Sequence, residues 1–355
     1  MECILRVSRW RKTSIKRDSL RGREQAWSLV VAVILPKLAT PVIEKRRAIL
    51  AAKQTAPSLS PRFDRTISFW FEDPGRCALR EETMPPLGQG DVTVRTEFSG
   101  ISRGTESLVF HGLVPASEFV RMRAPHQQGE MPFPVKYGYA AVGTVEEGPD
   151  RLVGRRIFCL HPHQSRFRVK ATDVHPMPES LPSERAVLAA NMETALNIVW
   201  DAGIMPGDRV AIFGAGVVGL LAAYVTARIP ATDVTICDTS PSRAVTAEAL
   251  AVEFRPPPDM PMDCDVLINA SASPAALQNA LDHAGFEARI VEASWYGEKL
   301  GQIAFGGAFH ARRLSVVSSQ VGAIAAARRA RWDGARRMGK ALGLLCHDAV
   351  DVLVS

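Results

Sequence analysis

RVAIFGAGVVGLLAAYVTARIPATDVTICD runs from Arg209 to Asp238 and holds the most specific pattern in the chain. An apolar, strand-like run leads into GAGVVG, which places Gly214, Gly216 and Gly219 in GxGxxG register. The apolar residues that follow have the period of a helix, and DVTICD predicts a second buried strand. A strand, a glycine-rich turn, a helix and a second strand are typical of a parallel sheet that binds a dinucleotide.

Each glycine of this turn has its own role. Gly214 permits the tight turn, Gly216 lets the backbone approach a pyrophosphate, and Gly219 lets the helix pack on the strand. The helix N-terminus then offers N–H groups and a positive dipole end to the anion. Asp238 lies 19 residues after Gly219, where a carboxylate can accept hydrogen bonds from both ribose hydroxyls. Since it would repel a 2′-phosphate, NAD is favoured over NADP, although Arg243 weakens that preference.

Residues of the turn and of the following strand ends form the predicted coenzyme site. They are Gly214, Ala215, Gly216, Val217, Val218, Gly219, Asp238, Arg243, Ser271 and Ser294. The alternative is a glycine-rich turn that binds nothing.

Further strands and helices alternate on both sides of this motif. DVLINAS (Asp265–Ser271), ARIVEASW (Ala288–Trp295) and LSVVSSQVG (Leu314–Gly322) predict three more strands. Helices are predicted for AVLAANMETALNIVWDAG (Ala186–Gly203) and PAALQNALDHAG, which begins at Pro274. Strands separated by helices predict a doubly wound parallel sheet.

The sequence that precedes this predicted sheet has a different pattern of secondary structure. RTISFWFE (Arg65–Glu72), DVTVRTEFSG (Asp91–Gly100) and VKYGYAAVGTVEEG (Val135–Gly148) are short β-rich runs between Gly and Pro turns. This spacing predicts an antiparallel, barrel-like domain. The predicted class is therefore α/β plus β, with a basic extension over residues 1–64, a barrel-like domain over 65–190, a dinucleotide-binding domain over 191–325 and a C-terminal helical segment over 326–355.

Charge and composition exclude several classes of protein. Of the 355 residues, 46% are hydrophobic and 23% charged, as in globular proteins. The net charge of +6 comes from residues 1–64, which carry 14 basic and 5 acidic residues against 29 and 32 in the remainder. Nucleic-acid binding is not expected of the body of the chain. The apolar run Ala26–Leu35 has ten residues, and a membrane span needs about 20.

The extension itself leaves three alternatives open: an unstructured or misassigned segment, an appended helical element, or a targeting segment. The six cysteines include no CxxC pair, so we expect neither a disulfide scaffold nor a zinc ribbon, and we expect a reducing cytoplasmic location.

Four phrases carry a family resemblance: FSGISRGTES, VKYGYAAVGTVEEG, MPGDRVAIFGAGVVG and ASWYG. They resemble the zinc-type alcohol dehydrogenase branch of the medium-chain dehydrogenase/reductase superfamily, and FSGISRGTE is similar to the subgroup that contains bacteriochlorophyllide dehydrogenase. The resemblance covers Arg65–Ser355. It implies a GroES-like catalytic domain, a Rossmann domain, an active-site cleft between them and a homodimer.

The sequence differs from that branch at the positions of the zinc ligands. Ser102 stands where zinc enzymes have a cysteine, Tyr139 where they have a histidine, and Ala140 where they have a glutamate. Only Glu193 falls where some relatives offer a carboxylate. Because Zn²⁺ prefers Cys, His and carboxylate ligands, we expect no catalytic zinc.

Hydroxyl groups could replace the metal by orienting the substrate oxygen. The predicted catalytic residues are Tyr139, Ser102 and Thr105, with Lys136 expected to lower the pKa of the phenol. The alternative is that these residues pack in the barrel. Glu106 could be a structural hydrogen-bond acceptor.

Three further side chains are candidates for the substrate pocket. His163 and Gln164, in CLHPHQ, could contact a polar substrate, and Trp295 could form a pocket wall or belong to the core. Cys159, His161 and His163 alternate and could instead hold a metal or serve structure alone. Six basic residues predict a basic helix near the C-terminus with a solvated face or an anionic partner: Arg328, Arg329, Arg331, Arg336, Arg337 and Lys340.

These patterns predict a zinc-independent, NAD(H)-linked oxidoreductase that acts on a small-molecule alcohol/carbonyl pair. Three alternatives stay open: an NADPH-dependent quinone or enone reductase, a non-catalytic dinucleotide-binding protein, and an unfolded product of a truncated gene. The last follows from the resemblance, because relatives continue past a segment like DAVDVLVS (Asp348–Ser355). A displaced reading frame or a degraded gene copy is the corresponding hypothesis.

Overall fold

A computed structural model of the chain describes residues 31–32 and 64–354. The expectations for the basic extension therefore fall almost wholly outside the described residues. Only Val31–Ala32 of that segment is placed, as a short strand.

The first half of the described chain forms two antiparallel sheets. Their strands are β1 (Val31–Ala32), β2 (Arg65–Asp73), β3 (Arg76–Thr83), β4 (Asp91–Gly100), β5 (Gln128–Gly129), β6 (Val135–Lys136), β7 (Ala141–Glu147), β8 (Arg156–Cys159), β9 (Arg166–Lys170) and β10 (Val174–Pro176). One sheet has the order β1-β4-β7-β8-β10, with β9 also on β4, and the other has the order β3-β2-β6-β5.

β4 is the central strand of the larger sheet, since β1, β7 and β9 all pair with it and its valines are fully buried. Val92 and Val94 have no exposed surface. Thr96 is opposite Gly143 of β7, where a Cβ would lie 2.2 Å from the carbonyl oxygen of Arg95. Only glycine therefore lets the two strands approach this closely.

Seven helices are present among the described residues. They are α1 (Thr105–Phe110), α2 (Ser183–Ala186), α3 (Ala189–Ala202), α4 (Val217–Thr226), α5 (Arg243–Ala249), α6 (Pro274–His283) and α7 (Gly334–Leu344). Short 3₁₀ or π turns cover Ala116–Glu118, Pro257–Asp259, Phe305–Phe309 and Asp348–Leu353.

The second half contains a six-stranded parallel sheet. Its strands are β11 (Arg209–Phe213), β12 (Asp233–Cys237), β13 (Glu253–Arg255), β14 (Cys264–Asn269), β15 (Ala284–Glu292) and β16 (Ser315–Ser318). The order β13-β12-β11-β14-β15-β16 is the doubly wound order 3-2-1-4-5-6. The predicted α/β plus β class is confirmed. The sequence predicted five of these strands and missed β13, which has only three residues and is followed by prolines.

One hydrophobic core joins the two halves. It contains Val142 and Phe158 of the antiparallel sheet, Ile212 and Val291 of the parallel sheet, and Met192 of α3. The helix α3 ends at Gly203, which adopts φ 68° as a left-handed cap. α3 packs on β14 and β15 of the parallel sheet, while α2 packs on β4 and β7, so consecutive helices connect the two sheets.

The C-terminal segment differs from its prediction. The helix α7 begins only after Asp333, whose side chain accepts a hydrogen bond from the Arg336 amide, so Arg328, Arg329 and Arg331 precede the helix. Arg337 is buried on α7 rather than solvated. Among the helices of residues 64–354, none is long and apolar enough to cross a bilayer.

Candidate active site and coenzyme turn

The glycine-rich turn between β11 and α4 has the geometry that the sequence predicted. Gly214 adopts φ 105°, and a Cβ there would lie 2.9 Å from the carbonyl carbon of Ala270. A Cβ on Gly219 would lie 2.0 Å from the carbonyl oxygen of Gly214. These two positions need glycine for the fold itself.

Gly216 is a glycine of a different kind. It has φ −77° and caps α4, and no described heavy atom lies within 4 Å of a Cβ built on it. No described side chain forms a capping hydrogen bond at this helix end. The N-terminus of α4, with Val217 and Val218 in its first turn, thus faces open space and suits an anionic group.

Asp238 follows β12 and is held beside this turn. Its Oδ2 accepts a hydrogen bond of 2.9 Å from the Ala215 amide, and its Oδ1 accepts one of 2.9 Å from the Ser240 amide. The carboxylate is partly exposed. The predicted acid therefore lies at the carboxyl end of the strand next to the glycine turn, where a ribose would fit.

Two arginines share the neighbourhood of Asp238. Burial lowers the pKa of Arg103, the positive charge of Arg243 lowers it further, and the charge of Asp238 opposes both. Arg103 lies between β4 and α1, in the antiparallel half, so this half also contributes charge to the coenzyme site. Sequence reasoning missed Arg103, although it directly follows Ser102 in GISRG.

A polar cluster lies at the ends of β14 and β15. Ser271 Oγ donates to Asn269 Oδ1 at 2.6 Å, and Ser294 Oγ donates to the Asn269 carbonyl at 3.1 Å. Glu292 Oε2 accepts from Asn269 Nδ2 at 2.7 Å and from the Tyr296 hydroxyl at 2.9 Å. The sequence indicated the two serines and missed the other three, whose only signal is their position at strand ends.

The three predicted catalytic hydroxyls lie together. Burial raises the pKa of Tyr139 far above its usual value, the nearby charge of Glu106 adds to this, and hydrogen bonding with Ser102 and Thr105 opposes it. The phenol is therefore neutral over the whole physiological range. A neutral phenol flanked by two hydroxyls can donate a hydrogen bond to a substrate oxygen.

Behind the hydroxyls lies a buried pair of ionisable groups. His163 Nε2 lies 2.7 Å from Glu106 Oε2, and His163 Nδ1 lies 2.5 Å from Ser99 Oγ. The other oxygen of Glu106 accepts a hydrogen bond of 2.8 Å from the Ser102 amide. The His163 and Glu106 side chains are 3% and 1% exposed, and the contact of His163 with a substrate stays a prediction.

Lys136 and Gln164 belong to a separate cluster. Lys136 Nζ donates to Glu82 Oε2 and to Gln164 Oε1, both at 2.9 Å, and Gln164 Nε2 donates to the Arg166 carbonyl. Burial lowers the pKa of Lys136, and Glu82 opposes this. The expected lowering of the Tyr139 pKa by Lys136 is wrong, because burial raises that pKa and Lys136 pairs with Glu82 instead. Gln164 is buried beside Lys136, and its contact with a substrate stays a prediction.

Trp295 is half-buried and packs against the apolar cluster of the antiparallel half, which includes Leu108 and Phe133. Two residues on, Gly297 adopts φ 62°, and a Cβ there would lie 2.5 Å from the Leu113 carbonyl oxygen. The segment after β15 therefore touches the residues that follow α1, which places Trp295 at the boundary of both halves.

The candidate metal ligands do not form a site. Glu193 pairs with Arg337, with 3.0 Å between Glu193 Oε1 and Arg337 Nε. Burial raises the pKa of Glu193, and Arg337 opposes this.

The alternating residues of CLHPHQ also separate. His161 stacks on Phe167 with 3.9 Å between ring centroids, away from the partners of His163. Within the described part of the chain no three His, Cys, Asp or Glu side chains come close enough to hold a metal ion. Hydroxyls of Ser102 and Tyr139 are poor Zn²⁺ ligands, so this donor set does not fit zinc.

Comparison with known proteins identifies several dehydrogenases that are similar to this chain. No family model matches the chain. A zinc-type alcohol dehydrogenase-like protein from Haemophilus influenzae is 21% identical over 268 residues, which are 65% of this chain and 77% of that protein. (R,R)-butanediol dehydrogenase from Bacillus subtilis is 26% identical over 197 residues, 47% of this chain and 56% of that protein. Sorbitol dehydrogenase from Rattus norvegicus is 23% identical over 230 residues, 55% of this chain and 61% of that protein. The chain thus spans little more than half of the last two.

Solved structures agree in fold over most of the chain. L-idonate 5-dehydrogenase from Escherichia coli K-12 matches with a TM-score of 0.66 and 16% identity, over 80% of this chain and 88% of that one. An alcohol dehydrogenase from E. coli CFT073 in complex with NADH matches with a TM-score of 0.62 and 18% identity, over 82% and 89%. The fold is that of the medium-chain dehydrogenase/reductase superfamily. The resemblance seen in the sequence motifs is confirmed.

NADH and NADP both occur among the solved structures that share this fold. A further neighbour, from Sinorhizobium meliloti 1021, is bound to NADP, with a TM-score of 0.64 and 19% identity over 80% of this chain and 89% of that one. In this chain the glycine turn lies in the parallel half and the hydroxyl cluster in the antiparallel half.

Proposed function

We propose that this chain is an NAD(H)-dependent oxidoreductase that transfers hydride between the nicotinamide and an alcohol/carbonyl pair. One observation carries the proposal: the turn at Gly214–Gly219 opens α4 toward free space while Asp238 lies beside it. A backbone N–H array at a helix N-terminus suits a pyrophosphate, and a carboxylate at the next strand end suits ribose hydroxyls. The named relatives are dehydrogenases of alcohols and polyols.

The chemistry proposed for the cleft needs no metal. NAD, when bound, supplies the hydride acceptor or donor. Tyr139 stays protonated and can donate a hydrogen bond to the substrate oxygen, while Ser102 and Thr105 orient the phenol. Trp295, at the boundary of the halves, is proposed as a wall of the pocket for a small-molecule alcohol.

A second candidate is an NADPH-dependent reductase of a quinone or enone. The observation that favours it is the pair of arginine charges, Arg103 and Arg243, around Asp238. Two guanidinium groups could compensate the repulsion between the carboxylate and a 2′-phosphate. The coenzyme measurement below distinguishes this candidate from the first.

We also propose a homodimer. β16 is an edge strand of the parallel sheet, and both Ser315 and Val316 are exposed on it. The edge of this four-residue strand has backbone N–H and C=O groups with which a strand of a second copy can pair. Light scattering coupled to size exclusion should give twice the mass of the chain, and a monomer at micromolar concentration contradicts the dimer.

The proposed activity is tested by titrating the purified protein with NADH and, in parallel, with NADPH, using tryptophan fluorescence. We expect saturable NADH binding that Gly216→Val abolishes, since the valine fills the space open to the pyrophosphate without disturbing a residue at φ −77°. Turnover is then measured on a panel of alcohols, aldehydes, quinones and enones. Tighter binding of NADPH supports the second candidate, and no binding of either coenzyme by folded protein contradicts both.

A further inference from the structure

The buried pair of Glu106 and His163 reaches every part of the hydroxyl cluster. Glu106 directly follows Thr105 and accepts a hydrogen bond from the Ser102 amide at 2.8 Å. His163 connects to the other chain segment, which contains Tyr139, in two ways. Its ring lies against Gly138, and its partner Ser99 donates to the Ala140 carbonyl at 3.0 Å. Each catalytic candidate is therefore in contact with the pair, or is the immediate neighbour of a residue that is.

The absence of a side chain at Gly138 leaves the space that the His163 ring occupies. It adopts φ 138°, and a Cβ there would lie 2.7 Å from His163 Nε2. Any other residue would push the ring away from Glu106 or displace the Tyr139 backbone. The Gly100 amide also donates to the Ala140 carbonyl at 3.0 Å, which ties the start of the Ser102 loop to the same segment.

The polar atoms of this network can all be satisfied at once. With both ring nitrogens protonated, His163 donates to Glu106 through Nε2 and to Ser99 through Nδ1, and Ser99 donates onward to the Ala140 carbonyl. Glu106 then accepts from His163 and from the Ser102 amide. A buried hydrogen-bonded network in which every polar group has a partner is rigid, because any rearrangement leaves a buried polar group unpaired.

We propose that Glu106 and His163 are positioning residues, which hold Ser102, Thr105 and Tyr139 in the arrangement that receives the substrate oxygen. The pair links the two chain segments that contribute hydroxyls, so the phenol direction is fixed before substrate arrives. The inference rests on the proposed oxidoreductase function for its kinetic test. Small displacements of a catalytic group lower the rate steeply, by about 100-fold for about 1 Å.

Two substitutions of Glu106 separate positioning from a general loss of structure. Glu106→Ala removes both hydrogen bonds, and we expect kcat to fall by at least about tenfold with NADH affinity unchanged. Glu106→Gln keeps both: its carbonyl oxygen accepts from the Ser102 amide, and its amide donates to a neutral His163 whose Nδ1–H still donates to Ser99. We therefore expect Glu106→Gln to keep kcat within about threefold of the wild type.

His161→Gln is the matched control, because His161 is also buried but stacks on Phe167, and its described hydrogen bond is with the Pro162 carbonyl rather than the hydroxyl cluster. It should leave kcat, KM and NADH affinity unchanged. Wild-type kcat in Glu106→Ala, or equal impairment of the Gln and Ala variants, overturns the proposal.

A second readout works without turnover, so that failure of the proposed function does not decide this inference. Tyrosines are replaced by 3-fluorotyrosine, and the ¹⁹F resonance of Tyr139 is assigned with Tyr139→Phe. Glu106→Ala should shift that resonance and leave that of Tyr224 in place, whereas Glu106→Gln should restore the wild-type position. A Tyr139 resonance that does not respond to Glu106→Ala overturns the positioning role, with or without catalysis.

Discussion

The Asp238 carboxylate accepts a hydrogen bond from the Ala215 amide at 2.9 Å, inside the glycine turn itself. The acid at the end of β12 thus helps to shape the turn, in addition to facing the expected ribose. A substitution at this position affects both coenzyme choice and the geometry of the pyrophosphate site. Asparagine keeps an acceptor oxygen for the amide, so it changes the charge with the least effect on shape.

Asp238→Asn should move coenzyme preference toward NADPH. Without the carboxylate, a 2′-phosphate no longer meets a like charge, and the guanidinium groups of Arg103 and Arg243 can form charge-assisted hydrogen bonds with it. We expect NADPH to bind about tenfold more tightly, a change of about 1.4 kcal/mol, and NADH to bind less tightly. Fluorescence titration with both coenzymes measures this, and an unchanged ratio of affinities would show that Asp238 does not select the coenzyme.

Gly216→Ala and Gly219→Ala should have opposite consequences. A Cβ on Gly219 meets the Gly214 carbonyl oxygen at 2.0 Å, so this variant should lose at least about 2 kcal/mol of folding free energy. A Cβ on Gly216 meets open space, so the fold should be unaffected while NADH affinity falls. Urea unfolding followed by NADH titration separates the two effects. Equal stabilities would contradict the packing role of Gly219.

Acid should destabilise the protein through His161. Burial lowers the pKa of this imidazole from 6.5 to about 3, so the folded state holds it neutral while the unfolded state takes up a proton below pH 6.5. Its contribution is therefore complete above pH 6.5 and is lost as the pH falls toward 3. The loss is about 1.4 kcal/mol per pH unit, or about 2 kcal/mol by pH 5. His161→Gln should flatten the dependence of unfolding free energy on pH between 6.5 and 5. An identical slope in both proteins would assign the effect to other groups.

Arg337→Met should be strongly destabilising. Arg337 pairs with Glu193 at 3.0 Å and donates to Asn197 at 2.6 Å and to the Val321 carbonyl at 2.6 Å. Its loss leaves a buried carboxylate unpaired, at a cost of about 3 kcal/mol or more. Arg336→Met is the control, because Arg336 is exposed and lies 4.0 Å from the centroid of Trp332, a contact of about 0.5–1 kcal/mol. Similar midpoints of chemical unfolding for both variants would rule out the special role of Arg337.

Tyr139→Phe should lower kcat without changing NADH affinity. The variant removes one hydroxyl and keeps the ring, so the coenzyme site in the other half of the chain is untouched. Since the pKa of the phenol is raised above its usual value of 10.0, the wild-type rate should not fall through phenol ionisation up to pH 10. Steady-state kinetics from pH 6 to 10 test both statements. A rate loss with an apparent pKa near 8 would assign control to another group.

Local patterns were enough to predict the coenzyme turn. Gly214, Gly219 and Asp238 are placed by a strand, a turn and a helix that are consecutive in sequence, so register alone determines their geometry. The hydroxyl cluster needed the family resemblance, because Ser102 and Tyr139 come from separate segments. Domain boundaries and the roles of the site residues stay predictions.

Long-range pairing of charged groups could not be predicted. Glu106 and His163 are 57 residues apart, Glu82 and Lys136 are 54 apart, and Glu193 and Arg337 are 144 apart. Each pairing depends on which buried charges the packing brings together, and a single sequence has no pattern for that. Sequence reasoning consequently missed that Lys136 pairs with Glu82 and that Glu193 pairs with Arg337.

The hydrophobic core that contains Phe158, Met192 and Ile212 is shared by the antiparallel and parallel halves. At this core the two halves cannot separate without exposing its apolar side chains to water. Away from this core, the segment after β15 meets the antiparallel half through the hydrogen bond of 3.1 Å from the Glu298 amide to the Leu113 carbonyl and through the packing of Trp295. A separation of the halves that keeps the shared core intact would therefore have to break the Glu298 hydrogen bond and expose Trp295.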